Sequence, residues 1–82
     1  MSSAPSFTLL SREGCELCEE MFAELRAFCS GKALEFHCVD VDADSELRTR
    51  FGHKVPVLLL DGMPVCHGQF DVEEVQRLLR QR

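Results

Sequence analysis

Two cysteines separated by two residues, Cys15 and Cys18, lie where a short apolar run meets an amphipathic segment. Phe7–Leu10 has the content of a strand, and helical periodicity begins at Glu16. The first thiol then lies beside the unpaired N–H groups and positive dipole end of a helix, which favour a thiolate. This placement predicts a dithiol that interconverts with a disulfide, with Cys15 as nucleophile and the more shielded Cys18 as resolving thiol.

The hydropathy pattern predicts seven elements in the order β-α-β-α-β-β-α. Apolar alternation and turn residues place the strands at Ser6–Ser11, Leu34–Asp40, Val55–Leu60 and Met63–His67. Caps and periodic stripes place the helices from Glu16 to about Ser30, from Asp44 or Ser45 to about Phe51, and from Asp71 to Leu79.

The connections between these elements predict the sheet. The first two strands are joined through a helix and should be parallel, whereas Asp61-Gly62 is a strong hairpin signal that makes the last two antiparallel. Pro64 predicts an edge strand, since it has no N–H to donate. We therefore expect an α/β domain with a four-stranded mixed sheet, helices on both faces and residues 1–5 as a loose tail.

The last helix carries its own start signal. Asp71 is followed three residues later by Glu74, which predicts a capping-box-like pair. The apolar residues at helical spacing should form its buried stripe; they are Val72, Val75, Leu78 and Leu79.

Charge and hydropathy exclude several classes of function. The 82 residues carry a net charge of −5, from 14 acidic and 9 basic residues, which argues against nucleic acid and against a polybasic membrane anchor. No apolar run approaches the ~20 residues that span a bilayer. The N-terminal residues lack the basic and apolar regions of a signal peptide, so we expect a cytoplasmic location.

The chain has five cysteines, an odd number that does not suit a closed disulfide framework. In a chain without a leader we expect reduced thiols and transient disulfides. Cys15 and Cys18 are the one closely spaced pair, whereas Cys29, Cys38 and Cys66 are expected to be small buried hydrophobes.

Three segments of the chain resemble the glutaredoxins of the thioredoxin-fold superfamily. Ser11–Cys18 resembles their active-site segment, Lys54–Pro56 their Thr-Val-Pro, and Gly68–Asp71 the Gly-Gly-x-Asp before the last helix. The resemblance extends from about Ser6 to Leu79. It implies a thioredoxin-like fold of the glutaredoxin type and a thiol–disulfide oxidoreductase acting through Cys15 and Cys18.

The resemblance also implies where substrates bind. Pro56 should be cis and lie against the active-site disulfide, with the backbone of Val55 pairing with a peptide or glutathione. Arg12 and Asp71, with Gly68 in the adjoining turn, would hold the charged ends of glutathione, with further help from Arg48 or Arg50; Asp71 has the alternative role of a plain helix cap.

The same resemblance implies the partners. The substrates would be disulfide-containing proteins or small molecules, and the electron donor would be glutathione, as a co-substrate, or a flavoprotein reductase. We expect no bound cofactor, no metal, no nucleic acid and no membrane partner, and a monomer.

The active-site segment departs from the glutaredoxin pattern. Glu16 and Leu17 stand where Pro-Tyr is typical, and the chain has no Tyr or Trp. Gln69 replaces the second glycine of Gly-Gly-x-Asp. Carboxylates cluster at the helix start, where they interact favourably with the helix dipole but repel a thiolate. Arg12 has the opposite effect and attracts a thiolate. The carboxylates belong to Glu13, Glu16, Glu19 and Glu20.

Two alternative functions follow from these residues. One is a redox-silent binding module that pairs a partner strand beside Val55-Pro56. The other is metal or iron–sulfur handling, in which Cys15, Cys18 and a histidine supply the ligands. The sequence offers no second closely spaced cysteine pair, and its histidines are isolated; they are His37, His53 and His67.

Overall fold

The computed structural model describes residues 4–81 and has the predicted order of strands and helices. The strands are β1 (Ser6–Ser11), β2 (Glu35–Asp40), β3 (Val57–Leu60) and β4 (Met63–His67). The helices are α1 (Glu16–Cys29), α2 (Ser45–Phe51) and α3 (Val72–Arg80). A short 3-10 turn, Val41–Ala43, follows β2 and was not predicted. Of the predicted loose tail, residues 1–3 lie outside the described residues.

The four strands form one mixed sheet in the order β2-β1-β3-β4. β1 is parallel to β2, and β3 is antiparallel to β4, as predicted. β1 also pairs antiparallel with β3, which was not predicted. β4 is an edge strand, which explains how it contains Pro64. Pairing passes from Leu59–Pro64 to Leu58–Cys66, so that Val65 forms a bulge.

The hairpin turn between β3 and β4 is tied back to the first strand. Asp61 and Gly62 have φ values of 49° and 87°, the positive pair that a type I′ turn requires. The N–H of Ser6 donates to Asp61 Oδ1 at 3.0 Å. In return, the N–H of Asp61 donates to the Ser6 carbonyl at 2.8 Å. These bonds hold the turn against the start of β1.

The core lies between the sheet and the pair α1 and α3. Its buried residues come from one face of the central strands and the inward stripes of both helices; they are Phe7, Leu9, Met21, Leu25, Cys29, Leu58, Leu60 and Val75. Full burial of each such leucine or phenylalanine contributes about 1.5–3 kcal/mol. On the opposite face Leu10 and Val57 are also buried, and α2 ends at Phe51 beside Val57. Helices therefore flank both faces, as predicted.

Two strands are shorter than predicted. β2 begins at Glu35 rather than Leu34. β3 begins at Val57 rather than Val55, because Pro56 has no N–H to contribute to the ladder.

Two expectations about α3 are wrong. Val72 is 40% exposed rather than buried, because it lines an open depression with His67 and Phe70 beside the end of β4. Asp71 caps the helix, but the Glu74 side chain does not complete a capping box. It binds Arg77 instead through two bonds of 2.9 and 2.6 Å, since a bidentate ion pair is stronger than a single bond to a backbone N–H.

The expectation that all three scattered cysteines are buried is also wrong. Cys29 is buried and Cys66 half-buried, but Cys38 is exposed. Cys38 lies on the edge strand β2, and the helices that cover the central strands leave this end of the edge strand open.

Candidate functional site: a dithiol at the start of a helix

Cys15 is the N-terminal cap of α1, and its sulfur takes the place of the usual cap oxygen. Its Sγ accepts a hydrogen bond from the backbone N–H of Cys18 at 3.3 Å. The N–H of Cys15 donates to the Arg12 carbonyl at 3.3 Å, which closes the preceding turn, and Gly14 supplies the positive φ of 80° that the turn needs. One of the unpaired N–H groups of the helix is therefore aimed at sulfur, an arrangement that stabilises negative charge there.

The two thiols differ in access and acidity. Cys15 is half-buried, whereas Cys18 is 3% exposed. The pKa of Cys18 is raised from 9.0 to about 11, first by burial and then by a hydrogen bond with Cys15. Both residues are free thiols, so the structure describes the reduced site. Cys18 therefore keeps its proton at neutral pH, and Cys15 is the more accessible of the two thiols.

Arg12, a predicted substrate-binding residue, is held by protein groups. Its guanidinium binds both carboxylate oxygens of Asp42, with Nε–Oδ2 at 2.7 Å and Nη2–Oδ1 at 2.9 Å. Its Nη1 donates to the Gly52 carbonyl at 2.9 Å. The hydrogen bond from Arg12 holds the pKa of the Asp42 carboxyl below its usual value. The charge of Arg12 is therefore largely neutralised before any ligand arrives.

Sequence reasoning missed Asp42, although a signal was present. Because β1 and β2 are parallel, their carboxyl ends meet at one edge of the sheet, and Ser11 pairs with Asp40. Arg12, one residue after Ser11, and Asp42, two residues after Asp40, are thereby brought together. The run Asp40-Val-Asp-Ala-Asp44 directly after the second strand was the available clue.

Two other predicted binding segments, Val55-Pro56 and Gly68, are joined by a hydrogen bond. The Val55–Pro56 bond is cis, and the Gly68 N–H donates to the Pro56 carbonyl at 2.8 Å. Gly68 has a φ of 81° and lines a depression of about 180 Å³ with Leu17 of the Cys-x-x-Cys segment. The structure thus joins Pro56 to Gly68, and Gly68 lies beside Leu17, the residue before Cys18.

Asp71 acts as a helix cap in the structure. Its Oδ1 accepts from the Glu74 N–H at 3.1 Å at the start of α3. The predicted helpers of Arg12 are both on α2: Arg48 lies close enough to Asp42 to lower its pKa further, and the Arg50 guanidinium lies 4.9 Å from the centre of the Phe51 ring.

A second cavity, which the sequence did not reveal, lies on the Arg12 side of the dithiol. We call it the Phe22 groove; it has a volume of about 430 Å³ and is lined by Leu9, Arg12, Glu13, Cys18, Glu19, Phe22, Cys38 and Asp40, among others. Cys18 forms part of its wall, so the groove opens next to the cysteine pair.

Carboxylates surround the start of α1, as the sequence predicted. The side chains of Glu13, Glu16, Glu19 and Glu20 are all exposed. Within residues 4–81 none of the four takes part in an ion pair. With Arg12 bound to Asp42, the surface beside the thiols is strongly negative.

Among residues 4–81, no three His, Cys, Asp or Glu side chains are grouped so that they could hold a metal ion. Over the same residues, no helix has the length and apolar character needed to cross a bilayer.

Comparison with known proteins gives a consistent result. The family described as "Glutaredoxin-like domain (DUF836)" matches residues 6–80. An uncharacterized protein of Mycobacterium tuberculosis is 34% identical over 77 residues, which cover 88% of this chain and 77% of that protein. An uncharacterized protein of Mycobacterium bovis matches with the same identity and coverage.

Solved structures show the same fold. A protein of Nitrosomonas europaea, determined by solution NMR, has a TM-score of 0.83 at 28% identity, over 95% of this chain and 94% of its own. A protein of X. campestris has a TM-score of 0.64 at 30% identity, over 93% and 97%. A mutant thioredoxin from Halobacterium salinarum has a TM-score of 0.67 at 20% identity, over 96% and 74%. The predicted thioredoxin-like fold is confirmed.

Proposed function

The chain belongs to the glutaredoxin-like family, and from this premise we propose that it is a thiol–disulfide oxidoreductase. The observation that supports the proposal most is the asymmetry of the two thiols. Cys15 is partly exposed and its sulfur accepts a helix N–H, whereas the buried Cys18 has a pKa raised to about 11. Attack on a disulfide requires an accessible thiolate. Resolution of the mixed disulfide requires a second thiol close by that reacts only after the first has done so.

The proposed reaction has two exchange steps. The Cys15 thiolate attacks one sulfur of the substrate disulfide, and the other substrate sulfur leaves as a thiolate that is then protonated. Cys18 then loses its proton and attacks the Cys15 sulfur in the mixed disulfide, which releases the second substrate thiol. The substrate gains two electrons and two protons, and the protein is left with a Cys15–Cys18 disulfide.

The Cys15–Cys18 disulfide must be reduced again by an outside thiol or enzyme. In this proposal the donor is glutathione, as a co-substrate, or a flavoprotein reductase. Arg12 is bound to Asp42, and free carboxylates surround the thiols, so the surface opposes the anionic glutathione. This charge pattern favours the reductase as donor.

We propose that the substrate lies against the Val55–Pro56 and Gly68 segments. Val55 is half-buried and lies outside the β3 ladder, where its backbone can pair with an extended chain. The bond from the Gly68 N–H to the Pro56 carbonyl holds the two segments in one arrangement. Asp71, which caps α3, is the remaining candidate for an anchor to a substrate amine.

The experiment measures reduction of bis(2-hydroxyethyl) disulfide, coupled either to glutathione with glutathione reductase or to thioredoxin reductase, both with NADPH. Cys15→Ser is expected to lose activity to background with either donor. Cys18→Ser is expected to accumulate a mixed disulfide on Cys15, visible as an added mass. Cys66→Ser makes the same substitution at a half-buried cysteine far along the chain and is expected to retain activity.

Full activity in Cys15→Ser would show that the proposal is wrong. So would a Cys15–Cys18 pair with no reversible two-electron transition in either system. The second result would support the redox-silent binding module instead.

A further inference from the structure

The Phe22 groove is formed where α1 leaves the part of the edge strand β2 around Cys38 uncovered. In the parallel pairing of β1 and β2, buried Leu9 lies opposite Cys38, and Cys38 is exposed at the open end. Phe22 of α1 lies over this gap. Its ring packs edge-to-face against the Phe36 ring, with the ring centres 5.8 Å apart. Phe22 remains 37% exposed. The Phe22 ring, which packs against Phe36 and lies above buried Leu9, is therefore available for contact with an apolar group of another molecule.

The groove is connected to the reactive pair. Cys18 contributes to its wall, and Gly14, directly before Cys15, lies at its rim. A volume of about 430 Å³ accommodates one or two side chains rather than a folded domain. A substrate chain whose disulfide has reached Cys15 can therefore place its neighbouring side chains in this groove.

The rim of the groove is acidic. Glu13, Glu19 and Asp40 line it, and the one cation on its wall, Arg12, is bound to Asp42. Partial burial raises the pKa of the Cys38 thiol, which therefore adds no charge at neutral pH. The complementary occupant has an apolar side chain for Phe22 and a cationic side chain for the rim.

We propose that the Phe22 groove binds the segment of a protein substrate next to its disulfide, and that it selects segments in which a basic residue accompanies an apolar one. This deepens the oxidoreductase function proposed above and rests on it. The same charges exclude the anionic glutathione as the occupant of this groove.

The first arm of the test compares two disulfide-linked peptides of equal length, each with a leucine beside the cysteine, one flanked by arginines and the other by glutamates. We expect the protein to reduce the arginine peptide with the higher kcat/KM. In Glu13→Gln/Glu19→Gln this kcat/KM should fall about two- to thirtyfold, the loss expected when two exposed charge pairs with the substrate are removed.

The matched control is Glu35→Gln/Glu73→Gln, which changes the net charge equally at exposed sites away from the groove. It should change the arginine-peptide kcat/KM by less than about twofold if the charges at the groove, rather than the net charge of the protein, determine the selectivity. Reduction of bis(2-hydroxyethyl) disulfide, which is too small to fill the groove, reports the basal activity. If that substrate is not reduced by the native protein, the oxidoreductase proposal fails, and the groove is judged by the second arm.

The second arm needs no redox chemistry. Serine analogues of both peptides are titrated into the reduced protein, and amide shifts are followed by NMR. The arginine analogue should perturb residues around Leu9, Phe22 and Cys38 and bind more weakly as salt is raised. Phe22→Ala should weaken this binding about tenfold, as loss of a buried aromatic anchor does at other interfaces.

Three results would overturn the proposal. One is equal binding of the two analogues. Another is a set of shifts confined to Val55 and Gly68. The third is a concentration-dependent dimer of the native protein that Phe22→Ala converts to a monomer, which would make a second copy of the chain the occupant.

Discussion

Arg12 and Asp42 form a two-bond ion pair that ties the loop before Cys15 to the segment after β2. The third bond of Arg12, to the Gly52 carbonyl, extends the link to the end of α2. A residue expected to bind an anionic substrate therefore has a carboxylate as its partner within the protein. If Arg12 binds glutathione, the glutathione must compete with Asp42 for the guanidinium.

Asp42→Asn tests that competition. The amide retains the shape of the carboxylate but removes its charge, so the charge of Arg12 is no longer neutralised. We expect the glutathione-coupled reductase rate to rise several-fold, on the order of what one exposed charge contributes, with no rise in the rate coupled to thioredoxin reductase. Glu46→Gln, an exposed change on α2, serves as the control. An unchanged glutathione rate in Asp42→Asn would show that Arg12 does not contact glutathione.

The raised pKa of Cys18 predicts a pH-dependent stability of the reduced protein. The folded state holds this proton up to about pH 11, whereas the unfolded state releases it near 9.0. The stabilisation is complete below pH 9 and is lost as pH rises toward 11, since the folded state binds more protons in that window. The loss should total about 2–3 kcal/mol.

Denaturant unfolding of the reduced protein at pH 7 and pH 10.5 measures this loss. The comparison is Cys18→Ala, which lacks the titrating group and should lose less stability between the two pH values. Equal losses in the two proteins would assign the effect to the other cysteines, whose pKa values are also raised by burial; they are Cys29, Cys38 and Cys66.

Asp71 allows capping to be separated from ligand binding. Asp71→Ala removes the oxygen that accepts the Glu74 N–H and should lower the free energy of unfolding by about 0.5–2 kcal/mol. Asp71→Asn keeps an oxygen there and should preserve most of that stability. If Asp71→Asn nevertheless weakens glutathione-dependent turnover, the charge of Asp71 contacts the ligand; if its turnover equals that of the native protein, Asp71 acts as a cap alone.

Glycine is required at position 52 because a larger residue would not fit there, and not because of the backbone conformation. Its φ is −57°, which any residue adopts, but a Cβ would lie 2.5 Å from the Arg48 carbonyl oxygen and 3.3 Å from Arg12 Nη2. Gly52→Ala should therefore destabilise the protein by about 1–3 kcal/mol, as overpacking does.

Gly31 provides the contrast, because a Cβ there meets nothing within 4 Å while its φ is +74°. Gly31→Asn should cost less stability than Gly31→Ala, since asparagine tolerates the left-handed region. Thermal unfolding of the variants distinguishes the two causes. A Gly52→Ala protein as stable as the native one would mean that the Arg48 carbonyl moves aside at little cost.

The local features of this fold could be predicted because they depend on neighbours in sequence. The turn at Asp61-Gly62 follows from residues that accept positive φ, and the cap at Asp71 follows from a short acceptor before a helical stripe. The same reasoning failed for Val72 and Cys38, whose spacing fits a buried face. Their exposure depends on how far the neighbouring elements extend over them.

The sequence by itself determined the order of elements, the mixed sheet and the dithiol at the start of α1, because periodicity, turn chemistry and cysteine spacing are local. Only the tertiary structure decided that Arg12 is bound by Asp42 and that Phe22 overhangs an open groove beside Cys18. Both depend on which distant segments the parallel pairing of β1 and β2 brings together, and on α1 leaving an edge strand uncovered. The net charge near a side chain and its exposure to solvent both depend on all the groups packed around it, including those distant in sequence.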